Sequence, residues 1–209
     1  KCMRIELSGL GKKFNRDWIF KGIDFTSNPA DRIAIIGPNG SGKSTLLQVI
    51  SGILSPNAGA IHFSKNNTAI AIESFFTHIT IAAPYLELPE EMTLLELIKF
   101  HFSFKKKLGF HTAEDLITLI GLNKATNKEI RYFSSGMKQR VKLALALYSD
   151  VDCILLDEPT TNLDEQGTQW YLNLIDTMLG NRTIFVSSNQ AHEYSFCNKQ
   201  ILIADYKSK

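Results

Sequence analysis

The sequence predicts an α/β fold built on a mostly parallel sheet, and three observations predict it. An all-apolar run, Ile33–Ile36, stops abruptly at Gly37 and gives way to a stretch of helical character. From Cys153 onwards, apolar strand-like runs again alternate with helical stretches. Strands that alternate with helices need crossover connections, and crossovers make parallel sheets. The third observation is size and composition: 209 residues, 44% hydrophobic and 21% charged, fit one large globular domain and exclude a disordered chain.

Taken in order, Ile5-Glu6-Leu7 and Gly22-Ile23-Asp24-Phe25 read as short strands with a polar, Gly-containing segment between them. Ile33–Ile36 is apolar throughout, as a strand buried on both faces must be. Ser44–Ile50 has helical character and ends at Ser51-Gly52. Residues 53–84 are mixed, with strands expected near Ile61–Phe63, Ala69–Ile72 and Ile79–Ala82. Leu94, Leu97, Ile98 and Phe102 recur at helical spacing behind Thr93, with Glu96 three positions on as in a capping box. A second helix is expected over 113–120, capped at Thr112 and stopped at Gly121. A mostly helical insertion therefore occupies about 90–148. After it come a strand at Cys153–Leu156, a helix near 166–179, a strand at Thr183–Val186 and a last strand at Gln200–Ala204.

The charge balance, 23 basic against 21 acidic residues, carries no electrostatic footprint for nucleic acid, and no nucleic-acid partner is expected. The longest apolar clusters, Leu143–Tyr148 and Ile33–Ile36, fall far short of the ~18 to 20 residues of a spanning helix. The first residues, Lys1-Cys2-Met3-Arg4-Ile5-Glu6, carry no apolar signal region. Cys2, Cys153 and Cys197 are few, odd in number and widely spaced, which points to a reducing cytoplasm over a disulfide framework. The five histidines form no metal-ligand spacing, and Lys105-Lys106-Lys107 reads as a solvated helix end.

The chemistry concentrates in two places. Gly37-Pro38-Asn39-Gly40-Ser41-Gly42-Lys43-Ser44-Thr45 fits G-x-x-x-x-G-K-[ST] and lies between an expected strand and an expected helix. Glycines let backbone N–H groups turn inward around phosphates, and the helix N-terminus adds partial positive charge. Lys43 suits the β- and γ-phosphates, and the Ser44 hydroxyl suits Mg²⁺. The second place is Cys153-Ile154-Leu155-Leu156-Asp157-Glu158, an apolar strand that delivers two carboxylates to the sheet edge where ligands bind. Asp157 suits the metal, and Glu158 suits orientation and deprotonation of an attacking water.

Between these motifs lies Phe133-Ser134-Ser135-Gly136-Met137-Lys138-Gln139-Arg140. It resembles the signature motif of ABC-type ATPases, and Pro159-Thr160-Thr161-Asn162-Leu163-Asp164 resembles their D-loop. The resemblance runs from about Ile5 to Ile203. It implies a P-loop NTPase with a mostly parallel core sheet, an antiparallel β subdomain and an inserted α-helical subdomain. It further implies a single domain over 1–209, with a nucleotide-binding core at 1–89 and 149–209 and a helical signature subdomain at about 90–148. Two such domains would meet head to tail, as a homodimer or a heterodimer. Each ATP would lie between the phosphate loop of one and Ser134, Ser135, Gly136 and Asp164 of the other. Phe14 stands where the family stacks an aromatic on adenine.

Two departures stand out. The family's Gln before a Leu-Thr pair is missing. Counting back from Met92-Thr93 lands on Pro84, and no Gln occurs between Gln48 and Gln139. The family's His after the last core strand is replaced by Asn189, which can donate a hydrogen bond but cannot carry a proton. The expectation is an ATP- and Mg²⁺-dependent hydrolase, slow and dependent on Glu158, with Lys43 and Asn189 assisting. It would serve as the ATPase subunit of a transporter, peripheral on the cytoplasmic face of the membrane. It would dock on a separate integral membrane permease through residues near 82–100. Two alternatives remain open from sequence: a soluble ABC-type ATPase with a non-transport role, and a slow-hydrolysing regulatory subunit.

Overall fold

The structure, a computed structural model, describes residues 3–207, with Ile72 described only in its backbone; Cys2 lies outside these residues. The chain divides into two compact units. The first takes the chain up to Ile81, Asp152–Glu158 and the chain from Gly180 on; the second takes Ala82–Val151 and Pro159–Leu179.

The first unit carries two sheets. β1 (Met3–Phe14) and β2 (Asp17–Ser27) form a long antiparallel hairpin, which β4 (Ala58–Lys65) and β5 (Thr68–Ala69) extend to the order β2-β1-β4-β5. Along β1, Met3, Ile5 and Leu7 are buried while Arg4 points outward, the period-2 pattern of a half-buried strand. The segment expected between two short strands shrinks to the turn at Asn15-Arg16, where Asn15 has positive φ. Gly9 and Gly11 lie at register shifts that the ladder passes over, so bulges absorb what reads in sequence as a loop. The strand expected at Ala69–Ile72 is likewise corrected. Asn66 and Asn67 turn the chain at positive φ, β5 pairs with β4 over only two positions, and Ile72–Phe75 forms a single helical turn, α2. That turn sets the buried Phe75 ring on Phe63, with centroids 3.6 Å apart.

The other sheet has the order β6 (Ile79–Ala82), β7 (Cys153–Asp157), β8 (Thr183–Ser188), β3 (Arg32–Ile36), β9 (Lys199–Leu202). β7, β8, β3 and β9 run parallel. Helix α1 (Lys43–Ile50) follows β3 and turns Leu46, Leu47, Val49 and Ile50 into the core shared with Ile33, Ile35, Leu155 and Phe185. The last strand stops at Leu202, short of Ala204, because Ile203–Tyr206 winds into a 3₁₀ turn that buries Ile203.

The second unit is helical. α3 (Leu94–Phe104) starts at a capping box in which the Thr93 hydroxyl accepts from the Glu96 N–H and the Glu96 carboxylate accepts from the Thr93 N–H. α4 (Ala113–Leu119) repeats the device with Thr112 and Asp115. α5 (Ser135–Leu147) begins inside the signature run itself, and α6 (Glu165–Met178) is capped by Asp164. α3 packs against α4 and α5 against α6. A short α7 (Ala191–Tyr194) in the first unit follows β8. Among the described residues, no helix is long and apolar enough to cross a membrane.

Candidate nucleotide site

Parallel strands bring their C-terminal ends to one edge, and the register aligns three of them. Ile36 pairs with Ser188, and Ser187 pairs with Asp157, so β8 stands between the strand that feeds the phosphate loop and the strand that ends in the carboxylates. The loop leaves β3 at Gly37 and enters α1 through Gly42, whose φ of 105° is left-handed. A Cβ on Gly42 would also stand 2.3 Å from the Ile19 side chain, so glycine is required twice over. Gly37 is similarly confined, because a Cβ there would meet the Ser41 hydroxyl at 2.6 Å.

The Lys43 ammonium lies folded against its own loop, donating to the carbonyl oxygens of Gly37 (2.9 Å) and Pro38 (3.2 Å). A cleft of about 210 Å³ opens in front of it, lined by residues 39–45, Glu158 and Ile19. Asp157 is buried, and its Oδ1 has no hydrogen-bond partner. Burial pushes its carboxyl above the usual range, while the Ser187 and Ser44 hydroxyls and the Lys43 charge pull it back. An orphaned, desolvated carboxylate oxygen beside a serine hydroxyl is the donor set of a hard divalent cation, so Ser44 and Asp157 fit Mg²⁺. Glu158 has a φ of 42°, rare for a non-glycine residue, and its N–H donates to the Ser187 carbonyl at 2.8 Å. That bond turns the backbone out of strand conformation immediately after Asp157, and the Glu158 side chain lines the cleft.

Asn189 meets the phosphate loop directly: its side-chain amide donates to the Asn39 side-chain oxygen at 2.9 Å. The turn carrying it is held by Ser188, whose hydroxyl accepts from the Gln190 N–H at 2.8 Å and donates to the buried Glu193 carboxylate. Phe14 is half exposed, with the Lys12 ammonium 5.3 Å from its ring, and the cleft lining contains Ile19 instead. Ile19 belongs to none of the sequence motifs. The only signal for it is an apolar residue on the strand after Trp18, which nothing in the sequence relates to Gly42.

In the second unit, Ser134, Ser135, Gly136, Met137, Arg140 and residues 162–164 line one pocket of about 320 Å³. Ser134 caps α5 by accepting from the Met137 N–H at 3.2 Å, so the first N–H groups of a 13-residue helix face a shared space. Gly136 explains how the D-loop approaches: a Cβ there would stand 2.9 Å from the Asn162 carbonyl oxygen. Gln139 is buried and donates to the Pro159 carbonyl at 2.9 Å, which ties the same helix to the start of that loop. Asp164 spends one carboxylate oxygen on the Gly167 N–H at 2.7 Å.

A parallel sheet with a glycine-rich strand-to-helix loop, a buried acid at the end of the strand one place beyond its neighbour and a serine-capped signature helix defines a P-loop nucleotide-binding cassette. Residues 20–161 match the family model described as ABC transporter, and the chain belongs to that family. It is 31% identical over 210 residues to a "Probable metal transport system ATP-binding protein" of Chlamydia pneumoniae, covering 94% of this chain and 84% of that one. It is 30% identical over 201 residues to the spermidine/putrescine import ATP-binding protein PotA of Fusobacterium nucleatum, covering 93% of this chain. It spans 53% of PotA, and 66% of the ABC transporter ATP-binding protein YdbJ of Bacillus subtilis, to which it is 27% identical. The cassette MJ0796, solved as a dimer bound to ADP and Pi, superposes with a TM-score of 0.81 at 21% identity, covering 97% of this chain and 94% of that one, and shares the fold.

Proposed function

We propose that this chain is the ATP-binding and ATP-hydrolysing subunit of an ABC transporter, dimerising around ATP to drive a separate membrane permease from the cytoplasmic face. The observation that carries the reading is the convergence at one sheet edge of the phosphate loop, the orphaned Asp157 oxygen and the strained Glu158. The family membership supports it, as do relatives named as transport ATP-binding proteins. Those relatives carry different cargoes, so no cargo is assigned to this chain.

Incoming triphosphate replaces the Gly37 and Pro38 carbonyls as the partner of the Lys43 ammonium, while loop N–H groups around residues 39–45 hold the remaining oxygens. Ser44 and Asp157 would hold Mg²⁺, which would supply charge neutralisation for the phosphates. Glu158 orients the attacking water and accepts its proton. Ser134 and the Gly136 N–H of a second cassette complete the cage around the γ-phosphate. Asn189 leaves the site without a titratable group at that position, and its amide is engaged by Asn39, which favours slow turnover.

The test is Glu158→Gln. Turnover falls by about 100-fold or more, and an ATP-bound dimer accumulates that sedimentation detects. Unchanged turnover in this variant would refute the assignment of Glu158. Recovery of the native protein with no membrane partner would favour a non-transport role.

A further inference from the structure

We propose that Lys138 and Lys142 of the signature helix clamp the 83–90 segment, so that this segment and the signature pocket move as one body. The inference rests on the ATP-dependent dimer of the preceding reading and adds positioning residues to it. The segment Ala83-Pro84-Tyr85-Leu86-Glu87-Leu88-Pro89-Glu90 is where the expected Gln is missing. It has no regular secondary structure, and its two prolines supply no backbone N–H.

Two cations of one helix reach it. The Lys142 ammonium donates to the carbonyl oxygens of Ala83 (3.2 Å) and Pro84 (3.0 Å). Lys138, one turn earlier, donates to a Glu90 carboxylate oxygen at 2.7 Å. Like charges at i,i+4 weaken an isolated helix, so the pair is sustained by what it binds. Burial and the neighbouring Lys138 charge pull the Lys142 ammonium below the usual lysine range, with Glu87 opposing them. Backbone bonds continue the attachment: Arg131 N–H donates to the Glu90 carbonyl at 3.1 Å and Ile130 N–H to the Met92 carbonyl at 2.9 Å. The same helix opens with Ser134, Ser135 and Gly136, which line the signature pocket one and two turns above the lysines. A displacement of the 83–90 segment is therefore delivered along a stiff helix to the phosphate-facing residues.

The test uses the full chain in a Glu158→Gln background. Lys138→Met with Lys142→Met keeps the alkyl stems and removes the donors, and Lys138→Arg with Lys142→Arg restores them. Amide hydrogen exchange is followed across 83–92 and 134–137, alongside ATP affinity of the single chain and ATP-driven dimerisation. In the Met variant, exchange rises about tenfold in both stretches together and the dimer weakens about tenfold. ATP affinity stays within about twofold, and the Arg variant returns toward the parent. Unchanged exchange at 83–92 overturns the clamp. Faster exchange at 83–92 with 134–137 and dimer affinity unchanged overturns the coupling. A Glu158→Gln parent that forms no ATP dimer counts against the proposed function, and the paired exchange rates still decide the clamp.

Discussion

Glu158 shows what a single residue contributes. Its left-handed backbone costs ~1 to 3 kcal/mol, and the Ser187 carbonyl that holds it belongs to the strand beside Asp157. Backbone strain at Glu158 and an unpartnered oxygen on Asp157 before it are what a site shows when local preference yields to function. The residue types were legible in the sequence, as an apolar run ending in two acids. The strain, the orphaned oxygen and the Asn189–Asn39 bond were not, because each depends on residues far away in the chain. His101 carries a prediction at the same scale. Burial, helped by Lys105, pushes its imidazole down to about 4, with Nε2 3.0 Å from the Ser149 hydroxyl. The folded His101 is thus neutral where the unfolded chain takes up a proton, so stability falls as pH drops from ~6.5 toward ~4, by at most ~1.4 kcal/mol per pH unit. Urea midpoints measured across that window decline in the native protein and flatten in His101→Gln; equal slopes would remove His101 as the cause.

Elements differ in how much of themselves they announce. The starts of α3 and α4 are written locally as Thr93–Glu96 and Thr112–Asp115, and both boxes form. The β1–β2 hairpin is not local: its bulges are sustained by pairing to β4 on the other side, so Gly9 and Gly11 read as a break. The signature run lies between these cases. Its serine cap is a sequence signal, but the need for glycine at 136 arises only from the Asn162 carbonyl on another loop. Gly136→Ala pushes a methyl into rigid backbone. Thermal unfolding should report a loss of ~1 to 3 kcal/mol. ATP-driven dimerisation should fail while nucleotide affinity of the single chain is retained; a normal dimer would show that the loop yields.

At the scale of the whole molecule, nucleotide binding and folding are linked. A ligand that binds only the folded chain stabilises it, by ~2.7 kcal/mol at a hundred times its dissociation constant. Mg-ATP should therefore raise the melting temperature of the native protein and leave that of Lys43→Ala nearly unmoved; an equal rise in both would place the nucleotide elsewhere. A near-neutral charge balance is compatible with phosphate binding, because one lysine and backbone dipoles act locally. The sequence by itself determined the α/β class, the phosphate loop, the two carboxylates and the family resemblance. Those rest on contiguous residues whose spacing is set by local covalent geometry. Tertiary structure alone decided that Ile19 faces Gly42, that Asn189 engages Asn39 and that two lysines grip the segment without its Gln. Such contacts join distant parts of the chain, and only packing brings them within hydrogen-bonding or van der Waals reach.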